Sequence, residues 1–116
     1  MGKTVVIYTT WPDAETAERV GAEAVAERLA ACANVLGPVV SIYRWEGAVS
    51  RATEVPMILK TREQVSERLR DFILARHPYE TPAIVVLPVL ADGSNPAFLD
   101  WITRETCIQQ GKAGES

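Results

Sequence analysis

The stretch Val39-Val40-Ser41-Ile42-Tyr43-Arg44-Trp45 constrains the fold more than any other part of the chain. Alternation places Val40, Ile42 and Arg44 on one face of a strand and Val39, Ser41, Tyr43 and Trp45 on the other. Both faces carry large or β-branched side chains, so neither reads as a solvated surface. The chain has 116 residues, the size of one domain. Its own helices can cover one face of such a strand, and the other face calls for a further subunit.

The rest of the pattern builds around this strand. Thr4 to Thr10 is a continuous β-branched and aromatic run, which predicts an inner strand broken by Trp11-Pro12-Asp13. Asp13 is suited to cap a helix and Glu15 to complement its dipole. Ala17, Val20, Gly21, Ala24, Val25 and Leu29 then make one apolar stripe of small residues, a helix built to lie close on a sheet. Leu29 to Val35 enters a second strand, Gly37-Pro38 marks a bend or bulge, and Val39 to Trp45 resumes it. Glu46 to Arg51 reads as a hairpin tip. Thr53 to Thr61 returns, with Pro56 arguing for an edge position or a bulge. Arg62 to Arg76 is a second helix, stopped at His77-Pro78 because proline disfavours helical geometry in the residue before it. Ala83 to Leu90 is a fourth, buried strand, and Phe98, Leu99, Trp101 and Ile102 belong to a short third helix. The order is that of an α+β, ferredoxin-like βαββαβ unit with a long hairpin, both long helices on one sheet face and the other face bare. Residues 1–108 form the domain and 109–116 a flexible polar tail.

Composition excludes several functions. The net charge of −3 leaves no footprint for nucleic acid or anionic lipid, so neither nucleic acid nor membrane is an expected partner. Cys32 and Cys107 are too few for a disulfide scaffold and have no CxxC spacing. No apolar leader or membrane-length run is present, and a reducing, cytoplasmic setting is expected. No nucleophile–base pair, P-loop or HExxH pattern occurs, so no catalysis is expected.

The segments Thr9-Thr10-Trp11-Pro12-Asp13, Arg28-Leu29-Ala30-Ala31-Cys32-Ala33-Asn34, Ser41 to Gly47, Ile58-Leu59-Lys60-Thr61, His77-Pro78-Tyr79-Glu80-Thr81-Pro82 and Phe98-Leu99-Asp100-Trp101-Ile102 resemble, in order, the signatures of the CutA divalent-cation-tolerance proteins. The resemblance runs from about Val5 to Trp101 and rests on Pro12, Asp13, Cys32, Asn34 and Pro78 among others. It implies a ferredoxin-like subunit assembled as a homotrimer through its hairpin, with kinship to the PII signalling proteins, which bind small ligands between subunits. It also implies an association with copper and other divalent metals. Some members carry a cysteine where this chain has Thr9 and a histidine where it has Arg76, so the donor set is reduced.

Two sets of candidate site residues follow. His77, with Glu80, is the candidate metal pair for Cu(II) or another divalent ion. Its alternative role is to end a helix, where the dipole favours an imidazolium. One imidazole is not a site, because divalent transition metals want three or four donors. Tyr43, Trp45, Glu46, Lys60 and Tyr79 could line an inter-subunit cleft for a small polar ligand, or simply pack an interface. Cys32 is either a soft donor or a small buried residue. No cofactor is obligatory, and a small ligand or a protein partner remains compatible with the pattern.

Overall fold

A computed structural model of the chain describes residues 3–106. Its elements are β1 (Thr4–Trp11), α1 (Ala14–Ala26), β2 (Cys32–Val35), β3 (Val39–Trp45), β4 (Ala48–Arg62), α2 (Glu63–Arg76), β5 (Ile84–Pro88) and α3 (Pro96–Glu105). The sheet order is β2-β4-β1-β5, with β3 also paired to β4 and every pairing antiparallel. This is the expected α+β, ferredoxin-like arrangement. The boundary at 108, Cys107 and the tail 109–116 lie outside the described residues.

Parity explains the core. Ile7, Thr9 and Trp11 of β1 share a face with Val55, Met57 and Leu59 of β4, and all are buried. Against them pack Ala17, Val20 and Ala24 of α1 and Val65, Leu69 and Ile73 of α2. Small residues on α1 allow the close approach. A Cβ added at Gly21 would stand 2.7 Å from the Met57 sulfur and 3.2 Å from the Ala33 methyl. The helix ends in a left-handed residue, Arg28 (φ 64°), after which the amides of Leu29 and Ala30 both return to the Ala24 carbonyl.

The bend at Gly37-Pro38 is a change of register. Leu36, Gly37 and Pro38 face only Val55 and Pro56 between the last pair of β2, Val35 with Met57, and the first of β3, Val39 with Glu54. Pro56 is therefore tolerated in a central strand. Its carbonyl accepts from the Leu36 amide at 2.9 Å, so its donorless nitrogen faces the same interruption, where no ladder bond is required.

Several expectations are corrected. The tip is only Glu46-Gly47, both at positive φ (51° and 83°), and β4 begins at Ala48 instead of Thr53. A two-residue turn of this hand matches the twist of its strands, so the Ala48–Arg51 stretch stays paired. β1 continues through Trp11, which fills the core and does not break the strand. β5 is shorter than expected and exposed, because it pairs only with β1 and lies at the sheet edge. The outer sheet face is not wholly bare. At one end α3 packs on it, with Ile102 buried and the Lys60 ammonium 5.6 Å from the Phe98 ring centre. Two arginines hold the end of α3: Arg62 donates to the Thr106 carbonyl at 2.8 Å, and Arg28 donates to the Arg104 carbonyl at 2.9 Å.

Gly21→Val is expected to lower folding stability by about 1–3 kcal/mol, the usual range for overpacking a filled core. Urea unfolding of the variant beside wild type measures it, and an unchanged midpoint would mean that α1 can lift from Met57 without loss.

Candidate functional site

The densest polar and aromatic cluster lies where α2 ends beside the end of β1. Pro78 stops α2, and the His77 amide makes the final helical bond to the Ile73 carbonyl at 2.9 Å. The His77 ring then turns inward and stacks on Trp11, with centroids 4.2 Å apart and planes 26° apart. The Tyr79 ring lies 4.8 Å from it, tilted by 50°. Trp11 is fixed in turn: its indole N–H donates to Thr9 Oγ1 at 2.7 Å, and Thr9 Oγ1 donates to the Met57 carbonyl at 2.8 Å.

Both imidazole nitrogens are occupied. His77 Nε2 lies 2.8 Å from the Thr10 carbonyl, which can only accept, so Nε2 carries the proton. Nδ1 accepts the Tyr79 backbone amide at 3.1 Å. These bonds select one neutral tautomer. Burial pushes the His77 pKa below its usual 6.5, with the Thr10 carbonyl and the Glu54 carboxylate pulling the other way. A metal at Nδ1 would have to displace the Tyr79 amide. Glu80 is exposed three residues beyond His77. Among the described residues no three His, Cys, Asp or Glu side chains gather as a donor set, so they do not form a ready-made metal site.

A second group adjoins the first. Glu54 lies on β4 opposite Val39, at the root of the β3–β4 hairpin, and accepts the Ser41 hydroxyl at 2.6 Å. Burial raises the Tyr79 pKa, and the neighbouring Glu54 carboxylate, Tyr43 phenol and Asp13 carboxylate raise it further. Asp13 caps α1 through the Thr16 amide at 2.8 Å, which holds its pKa below the ordinary value.

Within one chain the residues expected to share a cleft fall into three places. Tyr79 lies beside Glu54 at the hairpin root, while Tyr43, paired to Ser50, is further along the ribbon on the same face as Trp45. Trp45 and Glu46 stand at the hairpin tip, with Trp45 61% exposed. Lys60 is at the other end of the sheet, donating to Asn34 Oδ1 at 2.9 Å beside Phe98. Cys32 is a half-buried free thiol whose register partner is Lys60. Pro12 and Pro78 are exposed residues bounding the His77 cluster. Trp11, Thr10, Ser41 and Glu54 were not among the expected site residues. Strand parity places Trp11 with Val5, Ile7 and Thr9, and a carboxylate between Thr53 and Val55 is unusual inside a strand, so both signals were present.

Comparison with known proteins agrees with the geometry. The family model described as "CutA1 divalent ion tolerance protein" matches residues 5–105. The chain belongs to the CutA1 family. It is 44% identical over 102 residues to a divalent-cation tolerance protein CutA of Pyrococcus horikoshii, covering 88% of this chain and 97% of that one. The similarity to CutA of Salmonella newport is 41% over 100 residues, covering 86% of this chain and 85% of the relative. A chloroplastic CutA of Oryza sativa is 35% identical over 103 residues (89% of this chain), of whose length the chain spans 57%. Among solved structures, CutA1 of Ehrlichia chaffeensis superposes with a TM-score of 0.85 at 33% identity, covering 93% of this chain and 99% of that one. CutA1 of Thermus thermophilus gives a TM-score of 0.85 at 37% identity, covering 89% and 98%. The segments that carry the CutA1 resemblance thus include both shells of the His77 cluster: Thr9 to Asp13 supplies Trp11 and the Thr10 carbonyl, and His77 to Pro82 supplies the ring and the Tyr79 amide.

The buried imidazole has a pH consequence. Its folded pKa is depressed below the unfolded value near 6.5, so the unfolded chain takes up the proton first. Stability from this group is complete above pH 6.5 and is lost as pH falls through the lower, folded pKa. Urea midpoints measured between neutral pH and about pH 5 should fall more steeply for wild type than for His77→Gln. Equal slopes would show that the ring is not held neutral by the fold.

Proposed function

We propose that this CutA1-family chain works as a homotrimer in the response to divalent metal ions, binding Cu(II) or a similar ion weakly and catalysing no reaction. The observation that carries the assembly is apolar surface left open on a single chain. Ile42 and Val49 of the β3–β4 hairpin are each 69% exposed, and Val85, Val86 and Leu87 leave both faces of β5 uncovered at an unpaired sheet edge. Such an edge is a pairing hazard for a free monomer, and association removes it. Sedimentation equilibrium at micromolar protein is expected to give three times the chain mass, and a stable monomer sinks the reading. Trp45→Ala should weaken the trimer by about 2 kcal/mol or more if the indole anchors the contact.

Weak metal binding follows from the donors available. Copper(II) heads the divalent affinity order, and His77 is the one imidazole in the chain. Reaching Nδ1 costs the Tyr79 amide bond, and Glu80 is the nearest carboxylate along the chain. Calorimetric titration with Cu(II) should give a dissociation constant of about 1 μM or weaker, reduced further by His77→Ala and by acid. Nanomolar affinity would require a donor set built by several subunits.

The cytoplasm is the proposed location. No helix among the described residues is long and apolar enough to cross a membrane, while relatives include a chloroplastic rice protein and a periplasmic protein of Archaeoglobus fulgidus. Neither nucleic acid nor membrane is a proposed partner, given the net charge of −3. A second reading, a PII-like sensor of a small polar ligand, draws support from Tyr79 and Glu54 lying side by side at the hairpin root, with Tyr43 on the same ribbon face as Glu54. It requires neighbouring subunits to bring Trp45, Glu46 and Lys60 to that place.

A further inference from the structure

The aromatic stack at the end of β1 has a chemistry that neither folding nor metal binding uses. Trp11 is fully buried, and its indole lies 4.2 Å from the His77 ring, inclined by 26°. The Tyr79 ring lies 4.8 Å from the same imidazole, and Tyr79 is exposed. The three rings form a short path between the core and the surface. Trp45 and Trp101 stand outside it, Trp45 at the hairpin tip and Trp101 against Phe98. Tyr8 and Tyr43 stack on no ring among the described residues.

Indole and phenol are the aromatic side chains that lose one electron most readily, and the fate of their protons separates Trp11 from Tyr79. The Trp11 N–H donates to the Thr9 hydroxyl at 2.7 Å, which donates onward to the Met57 carbonyl at 2.8 Å. Neither oxygen is basic enough to take the proton, so an oxidised indole keeps a positive charge that burial disfavours. The Tyr79 phenol has the Glu54 carboxylate as a neighbour, and a carboxylate can accept its proton. His77 is held neutral by the Thr10 carbonyl and the Tyr79 amide, so no imidazolium charge opposes a positive hole moving past it.

We propose that Trp11, His77 and Tyr79 form a relay that carries an oxidising equivalent out of the core, with Tyr79 as the site where the radical settles. Loss of one electron from the Trp11 indole, to an oxyl radical or, under ultraviolet light, to dissolved dioxygen, leaves an indole radical cation. One electron then passes from Tyr79 to Trp11 across the imidazole, the phenolic proton moves to Glu54, and the indole is restored. A soluble thiol gives a hydrogen atom to the phenoxyl radical and becomes a thiyl radical, while Glu54 releases its proton to water. The relay lies within one chain and depends on neither the homotrimer nor the metal reading.

Laser photoionisation of tryptophan followed by transient absorption tests it, since indole and phenoxyl radicals have distinct spectra. In the full-length protein carrying Trp45→Phe and Trp101→Phe, Trp11 is the one remaining indole. Its radical signal should decay as a phenoxyl signal rises with the same time course, at a rate independent of protein concentration. Adding Tyr79→Phe should abolish the phenoxyl signal and lengthen the life of the indole radical severalfold, and Glu54→Gln should slow the transfer severalfold. A phenoxyl signal that persists without the Tyr79 hydroxyl overturns the relay, as does an indole radical of unchanged lifetime. An unchanged rate in Glu54→Gln overturns the role given to its carboxylate. Should the background chain not fold, mass mapping of oxidised peptides decides in the otherwise native sequence. After equal ultraviolet exposure, Tyr79→Phe should carry severalfold more oxygenated Trp11 than wild type, and equal amounts overturn the relay.

Discussion

Every part of this molecule depends on the backbone pairing of β4. One strand of 15 residues holds β1 along one side and β2 followed by β3 along the other. Its first half is the returning arm of a hairpin and its second half the middle of a sheet. The register change at Leu36–Pro38 separates these roles. It lets the ladder restart with a new offset and places Pro56 where no amide is required. Because side chains alternate along a strand, a slip of one residue in β4 would move Met57 and Leu59 out of the core together.

The His77 cluster applies the same economy at another place. Pro78 ends α2, the freed imidazole is taken up by the Thr10 carbonyl, and Trp11 supplies a flat wall for it. The ring joins the end of a helix to the end of a strand while its other nitrogen orders the following turn through Tyr79. That explains why the one histidine of this chain serves first as a structural link. A metal ion at His77 Nδ1 would have to compete with the Tyr79 amide for the same lone pair.

Much of this architecture was legible from residue patterns. Small residues at helical spacing from Ala17 to Ala24 announced close helix packing, and the motif at Gly37-Pro38 announced the interrupted ladder. The turn was read too long because Ala48, Ser50 and Arg51 look like loop residues, whereas positive φ at Glu46 and Gly47 alone closes the hairpin. Apolar β5 was expected in the interior, since a continuous Ile-Val-Val-Leu run carries no mark that separates a central strand from an edge awaiting a partner. The grouping of the site was the least legible part. Lys60 and Tyr43 lie on the same sheet face by parity, yet position along two long strands separates them, and only the pairing register reports that distance.

The long reach of β4 also sets the order in which the chain can fold. Thr9 bonds to Met57 across 48 residues of sequence, and the sheet interior is made almost wholly of such remote pairs. Only the β3–β4 hairpin, closed by two residues, joins strands adjacent in the chain. The turn can therefore form early and alone, while β1 must wait for a strand synthesised much later. Loop-closure entropy therefore weighs most on the pairing of β1 with its two remote partners, β4 and β5. A nascent chain would spend that interval with its hairpin formed and its inner strand unpaired.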